Sequence, residues 1–341
     1  MASNTTAPAG EDSADEVLHE FGIVRVYKSG RVERPLVAPP VAPGLDAATG
    51  VESRDVQLGP CSVRLYLPPA APGAKLPVVV YVHGGGFVAE SAASPGCHRF
   101  LNSLTAACPA LGISVEYRLA PEHPLPAAYD DALAALKWTL SAADACVAAH
   151  GDLRRVFLAG DSAGANICHY LAVHPDIVDA GQARHGEGGG DGGSEPRAPR
   201  RRLKGVVLIH PWFWGSEAVG GEPRHPAARA MGARLWLFAC PVADGGMDDP
   251  RMNPMAPGAP ALDTMACERV LVCAAEHDFL RWRGRAYAEA VAAARGVEGE
   301  GSVELLETEG EGHVFYVAEP NGDKAKAKAM LDRIVSFVNA P

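Results

Sequence analysis

The sequence predicts an α/β fold with a mostly parallel central sheet and helices on both faces. Three observations predict it. Short apolar runs without polar alternation recur along most of the chain, separated by stretches with helical spacing. Such runs mark strands buried on both faces, which parallel sheets require. One run ends directly in His83-Gly84-Gly85-Gly86-Phe87. Another ends in Gly160-Asp161-Ser162-Ala163-Gly164, a serine held on a turn between strand and helix.

Residues 1–20 are small, polar and acidic, and are expected to form a disordered tail. Ile23–Tyr27 and Arg31–Arg34 flank Lys28-Ser29-Gly30 and read as a hairpin. Pro35–Gly50 is rich in proline and alanine and reads as loop. Val56–Leu58 and Val63–Leu67, turned by Gly59-Pro60, read as an antiparallel edge. The buried strands follow at Val78–Val82, Ile113–Tyr117, Val156–Ala159, Val206–Ile209, Val270–Ala274 and Val303–Leu306. Helices are expected over Asp130–Ala142 and Ser162–His174, along the stripe Tyr287, Val291, Ala294, and along Leu331, Ile334, Val335, Val338. Residues 21–341 are expected to form a single domain. Segments 21–50 and 212–260 serve as cap elements within it, the second with a core-packed helix as the plainer reading. The glycine-rich stretch 181–202 is a flexible surface loop.

Composition narrows the partners. The 341 residues carry a formal charge of −10, which disfavours nucleic acid and anionic membranes. The basic run Arg197–Lys204 reads as a solvated loop edge, with nuclear import as the sharper alternative. No apolar run approaches the span of a bilayer. The eight cysteines form no Cys-x-x-Cys and no metal-ligand spacing. The start shows neither a basic region nor an apolar one. The expected location is therefore cytoplasmic, with reduced thiols and the nucleus as a further compartment.

The motifs supply the parts of a serine acyl-transfer site. A serine hydroxyl is a weak nucleophile and needs a histidine base, itself oriented by a carboxylate. Asp278 follows the run Arg269–Ala275, in a strand-end loop. His313 lies in Gly310-Glu311-Gly312-His313, between the last strand and the last helix. The chain order Ser162, Asp278, His313 is the order such a site uses in this architecture. The N–H groups of Gly84, Gly85, Gly86 and Ala163 are candidates to hold an oxyanion. Phe87, Trp212, Phe213, Phe279, Val314 and Phe315 neighbour these motifs and are expected to line the substrate pocket. His83 is expected to brace the glycine loop.

These residues carry a resemblance. His83–Phe87, Glu116–Glu122 and Gly160–Gly164 resemble the hormone-sensitive-lipase branch of the α/β-hydrolases. Val26–Arg34, Val63–Pro68 and Asp249–Pro254 look like the plant class I carboxylesterases. The likeness runs from about Phe21 to the C-terminus, apart from the glycine-rich insertion. It implies the α/β-hydrolase fold with a cap, and hydrolysis of small to medium uncharged carboxylic esters through an acyl-enzyme. It also implies a small-molecule ester as partner and no metal or cofactor, and it leaves the oligomeric state open. Two alternatives share the scaffold: gibberellin-receptor-like binding proteins, which lack the base, and dehydratases or lactone-forming enzymes. A histidine at 313 and a serine at 162 favour the esterase.

Overall fold

The computed structural model describes residues 15–71, 73–182, 202–299, 301–317 and 324–341. Residues 1–14 of the expected tail, and most of the 181–202 loop, lie outside the described residues. Contacts divide the chain into two units, Met1–Ala38 and Pro39–Pro341.

In the first unit the expected hairpin gains a strand. β1 (Val17–Glu20) pairs antiparallel with β2 (Arg25–Tyr27), which pairs with β3 (Val32–Glu33). Val17–Glu20, expected in the disordered tail, forms a strand instead. All four residues are exposed, so no apolar pattern announces the strand. Polar contacts tie it to β2 and the turn after it, Arg25 to Glu20 and Lys28 Nζ to Glu16 at 3.0 Å, while Tyr27 Oη donates to Glu33 at 2.7 Å between β2 and β3.

The second unit is built on eight strands. In chain order its elements are β4 (Glu52–Gln57), β5 (Ser62–Leu67), β6 (Leu76–Val82), α1 (Pro95–Ala107), β7 (Leu111–Glu116), α2 (Ala127–Leu140), α3 (Ala145–His150), β8 (Gly151–Asp161), α4 (Ala163–Val173), α5 (Pro175–Gln182), β9 (Leu203–Ile209), α6 (Pro226–Ala239), β10 (Cys267–Ala275), α7 (Arg281–Arg295), β11 (Val303–Thr308) and α8 (Lys324–Asn339). The sheet order is β11-β10-β9-β8-β6-β7-β5-β4. The six strands from β11 to β7 are mutually parallel, and β5 and β4 add the antiparallel edge. Every expected strand is present, within a few residues of its expected ends.

Both faces of the sheet are covered, which explains the unbroken apolar runs. On one face Val79, Tyr81, Phe157, Ala159, Val207, Ile209, Leu271 and Cys273 join Phe100, Leu101 and Leu104 of α1 and Ile334, Phe337 and Val338 of α8. The intervening residues, such as Leu158, Val206 and Val272, point to the opposite face and are fully buried as well. There α4 lies over β8 and β9, and α7 over β10. Each fully buried Val, Leu or Ile contributes about 1.5–3 kcal/mol relative to exposure. Gly205 in β9 makes room for α8, since a Cβ there would stand 2.7 Å from the Phe337 ring.

The segment 212–260 contains α6. Trp236 of that helix is fully buried, its ring 6.1 Å from that of Phe87. Its indole N–H donates to the Gly246 carbonyl at 2.9 Å.

Candidate active site

The parallel strands end on one edge of the sheet, and the chemistry-bearing residues follow those ends: His83 after β6, Ser162 after β8, Asp278 after β10 and His313 after β11. Ser162 occupies the turn between β8 and α4 with φ +53° and ψ −117°, a conformation a non-glycine residue seldom adopts. Its N–H still donates to the Ile209 carbonyl at 2.9 Å, so the sheet ladder continues to the serine. Its carbonyl accepts from Trp212 N at 3.0 Å and Asn166 N at 3.1 Å. The flanking glycines permit the turn. A Cβ on Gly164 would stand 2.0 Å from the Val82 carbonyl oxygen, and one on Gly160 would stand 2.7 Å from the Gly164 carbonyl.

His313 Nε2 lies 3.0 Å from Ser162 Oγ, and His313 Nδ1 lies 2.8 Å from Asp278 Oδ2. With Asp278 ionised, Nδ1–H donates to the carboxylate and the Nε2 lone pair faces the serine hydroxyl. The second carboxylate oxygen of Asp278 accepts from Leu280 N at 2.9 Å. The loops that carry Asp278 and His313 are tied together. His277 N donates to Glu311 O at 2.8 Å, and Gly310 N donates to Glu276 Oε2 at 2.8 Å. Asp278 is buried, whereas His313 keeps a quarter of its side chain exposed.

The glycine loop is anchored by a buried carboxylate. Asp161 Oδ1 accepts from Tyr81 Oη at 2.6 Å and from Gly84 N at 3.1 Å. Burial pushes the Asp161 carboxyl above its ordinary range, and the Tyr81 hydroxyl partly offsets this. Tyr117 Oη donates to the carbonyls of His83 at 2.9 Å and Gly84 at 3.0 Å, and its ring stacks on His83 at 4.2 Å. His83 Nδ1 bonds the Gly84 carbonyl at 2.9 Å. One expectation is corrected here. The Gly84 N–H is committed to Asp161 and is not free for an oxyanion. The N–H groups of Gly85, Gly86 and Ala163 meet no protein acceptor among the described residues. Gly85 has φ +97°, and a Cβ there would stand 2.2 Å from the Ala89 carbonyl oxygen.

The six residues expected to line the pocket divide. Phe279 is 49% exposed, with its ring 5.7 Å from that of His313 and 6.2 Å from that of Trp214. Val314 is half-buried beside His313. Trp212 is buried, 5.6 Å from Phe87. Phe87, Phe213 and Phe315 belong to the packing, not to an open wall. Phe87 is enclosed by Tyr129, Trp212 and Trp236. Phe213 is enclosed by His169 and Tyr287. Phe315 sits in the core beneath α1 and α8. Neighbours along a chain turn their rings to different sides, and adjacency to a motif does not reveal which.

Sequence reasoning missed Asp161, Tyr81 and Tyr117 as loop anchors, and it missed His210. His210 directly follows the apolar run of β9, the same signal that marked Asp278. It is buried, and burial pushes its pKa down to about 4. A ring nitrogen of His210 lies within 4.8 Å of both the Asp278 carboxylate and a His313 nitrogen. These three could group around a cation, but Asp278 and His313 are already bonded to each other and His210 Nδ1 is bonded to Val314 N.

The comparisons with known proteins agree with this architecture. Residues 79–317 match the family model described as the alpha/beta hydrolase fold. Probable carboxylesterase 2 of Arabidopsis thaliana is 38% identical over 318 residues, covering 92% of this chain and 93% of that protein. The chain belongs to the α/β-hydrolase family, in its plant carboxylesterase branch. Two other relatives in this branch carry different names. Tuliposide A-converting enzyme 1 of Tulipa gesneriana, a chloroplastic protein, is 42% identical over 92% of this chain and 75% of its own. The 2-hydroxyisoflavanone dehydratase of Glycyrrhiza echinata is 39% identical over 99% of this chain and 100% of its own. Among solved α/β-hydrolases, the carboxylesterase EstE1 from a metagenomic library superposes with a TM-score of 0.63 at 26% identity, covering 84% of this chain and 88% of that one. No helix among the described residues is long and apolar enough to cross a membrane.

Proposed function

We propose that this α/β-hydrolase is a serine carboxylesterase that cleaves small to medium uncharged esters through an acyl-enzyme. The observation that carries the reading is the unbroken line Ser162 Oγ, His313 Nε2, His313 Nδ1, Asp278 Oδ2, with links of 3.0 and 2.8 Å. Ser162 Oγ attacks the ester carbonyl as its proton passes to His313 Nε2. Asp278 orients the ring and stabilises the imidazolium. The free N–H groups of Gly85, Gly86 and Ala163 receive the tetrahedral oxyanion, with the N-terminal end of α4 favouring its charge. The imidazolium gives its proton to the departing alcohol, leaving Ser162 acylated. Water, deprotonated by His313, then attacks the acyl carbonyl, and the acid leaves as Ser162 recovers its proton. Each step uses this chain's own residues. Phe279 and Val314 supply the apolar surroundings that favour uncharged acyl and alcohol groups, with segment 212–260 contributing the cap.

A hormone-receptor reading is disfavoured by the base: His313 is present and within hydrogen-bonding reach of the serine. A second reading keeps the same triad for an elimination or an internal acyl transfer, as the names of the dehydratase and tuliposide-converting relatives suggest. Turnover of p-nitrophenyl acetate and butyrate by wild type and His313→Ala tests the proposal. The expected result is hydrolysis that falls by about four orders of magnitude in the variant. Equal turnover by both proteins would refute it. Product analysis on a hydroxylated flavonoid and an acylated sugar separates the second reading.

A further inference from the structure

β9 lies between the strand that delivers Ser162 and the strand that delivers Asp278. His210 is the first residue beyond it, and its N–H donates to the Cys273 carbonyl at 2.8 Å, extending the pairing with β10. Its backbone has φ +47°, a left-handed conformation uncommon outside glycine, and the residue is 1% exposed. Such conformations cost free energy and persist where the surroundings over-determine them. His210 Nδ1 accepts the Val314 N–H at 2.9 Å, and Val314, the residue after His313, is itself left-handed at φ +48°. For a β-branched residue that conformation is a true outlier and needs a specific hold. The ring of His210 lies 5.8 Å from the ring of His313. No step of the esterase mechanism uses His210.

We propose that His210 is a positioning residue whose Nδ1 clamps the Val314 N–H and so fixes His313 in line between Asp278 and Ser162. The inference rests on the esterase reading of this site. Its logic is local. The base sits on a loop that also holds Gly310 and Gly312, and a loop of that kind does not by itself hold a ring to a fraction of an ångström. The acid fixes one nitrogen of His313 but leaves the ring free to swing about that bond. A second fixed point on the neighbouring backbone removes the swing. The clamp works only with Nδ1 unprotonated, which places the ring proton on Nε2. Nε2 has no hydrogen-bond partner among the described residues. Burial keeps the ring neutral, so the clamp adds no cation beside the imidazolium that His313 must become. The charged or titratable groups that face His210 are Asp278 and His313, with Tyr316 at 6.2 Å between ring centres.

Two substitutions test the clamp. His210→Phe keeps a ring of similar size and removes the acceptor. His210→Asn removes the ring but keeps an acceptor oxygen near the position of Nδ1. On p-nitrophenyl butyrate, His210→Phe is expected to lose about 100-fold in kcat with KM within about threefold, the scale at which an ångström of misplacement acts. His210→Asn is expected to recover most of that loss. Thermal unfolding of each variant establishes that it is folded, and His210→Leu replaces the phenylalanine variant if that one does not fold. Activity within about threefold of wild type in His210→Phe overturns the proposal, as does an equal loss in His210→Asn. A second readout does not depend on turnover: the downfield proton resonance of His313 Nδ1–H. It is expected sharp in wild type and His210→Asn, and broadened or lost in His210→Phe. An inactive wild type would sink the esterase reading alone; an unchanged resonance in His210→Phe would sink the clamp alone.

Discussion

At the scale of single residues, the site is a set of groups held away from their ordinary behaviour. Ser162, His210 and Val314 all have positive φ: Ser162 belongs to the hydrogen-bonded line Ser162–His313–Asp278, Val314 follows His313, and His210 bonds the Val314 N–H. Two buried histidines carry a consequence for stability. Burial lowers the pKa of His169 to about 3 and that of His210 to about 4. The unfolded chain binds these protons near pH 6.5, whereas the folded chain refuses them until pH 4 or 3. Between those limits the unfolded state holds more protons, so stability rises with pH and falls on acidification. Each histidine contributes at most about 1.4 kcal/mol per pH unit within its window. Asp161, raised by burial, has the opposite sign: its folded form takes up a proton first and gains stability as pH falls. His98, whose pKa burial also lowers, acts in the same direction as the two buried histidines, so the urea midpoint is expected to drop between pH 7 and pH 5. Substituting both histidines by glutamine is expected to flatten that drop. A midpoint independent of pH in the unaltered protein would contradict this account.

At the scale of elements, close approach explains the motif better than flexibility does. α4 crosses the end of β6 so tightly that position 164 has no room for a methyl group. Gly164→Ala is therefore expected to destabilise the fold by about 2 kcal/mol or more through overpacking against backbone, measured by urea unfolding. A change below about 0.5 kcal/mol would mean that the helix can shift, and the elbow would not be rigid. The same scale shows what the sequence could and could not disclose. The parallel strands were legible because burial on both faces leaves only apolar residues. α1 was not foreseen, although Cys97, Phe100, Leu101 and Leu104 have helical spacing. Its opening Pro95-Gly96 reads as a turn, yet proline is well suited to the first helical turn. β1 was illegible because all four of its residues face water, so no apolar alternation marks the strand. Ser162, Asp278 and His313 were legible because each sits past an apolar run, with glycine or a turn beside it. The pocket was only partly legible. Phe213 follows Trp212 and Phe315 follows Val314, and each phenylalanine turns into the core.

At the scale of the molecule, the sheet acts as an aligning device. Its parallel strands present their C-terminal ends on one edge, where open α/β sheets place their ligands. The residues that meet there are distant in sequence: Ser162 and His313 are 151 positions apart, yet their side chains are 3.0 Å apart. The formal charge of −10 is consistent with an uncharged substrate, since a general negative field disfavours anionic esters. The central claim is that the hydroxyl of Ser162 is the nucleophile, activated by His313. The most direct measurement is mass spectrometry of the protein after treatment with an organophosphate that traps activated serines. The account predicts one adduct, on the peptide containing Ser162, whose formation slows sharply in His313→Ala. An adduct on a different residue, or equal labelling without His313, would contradict it.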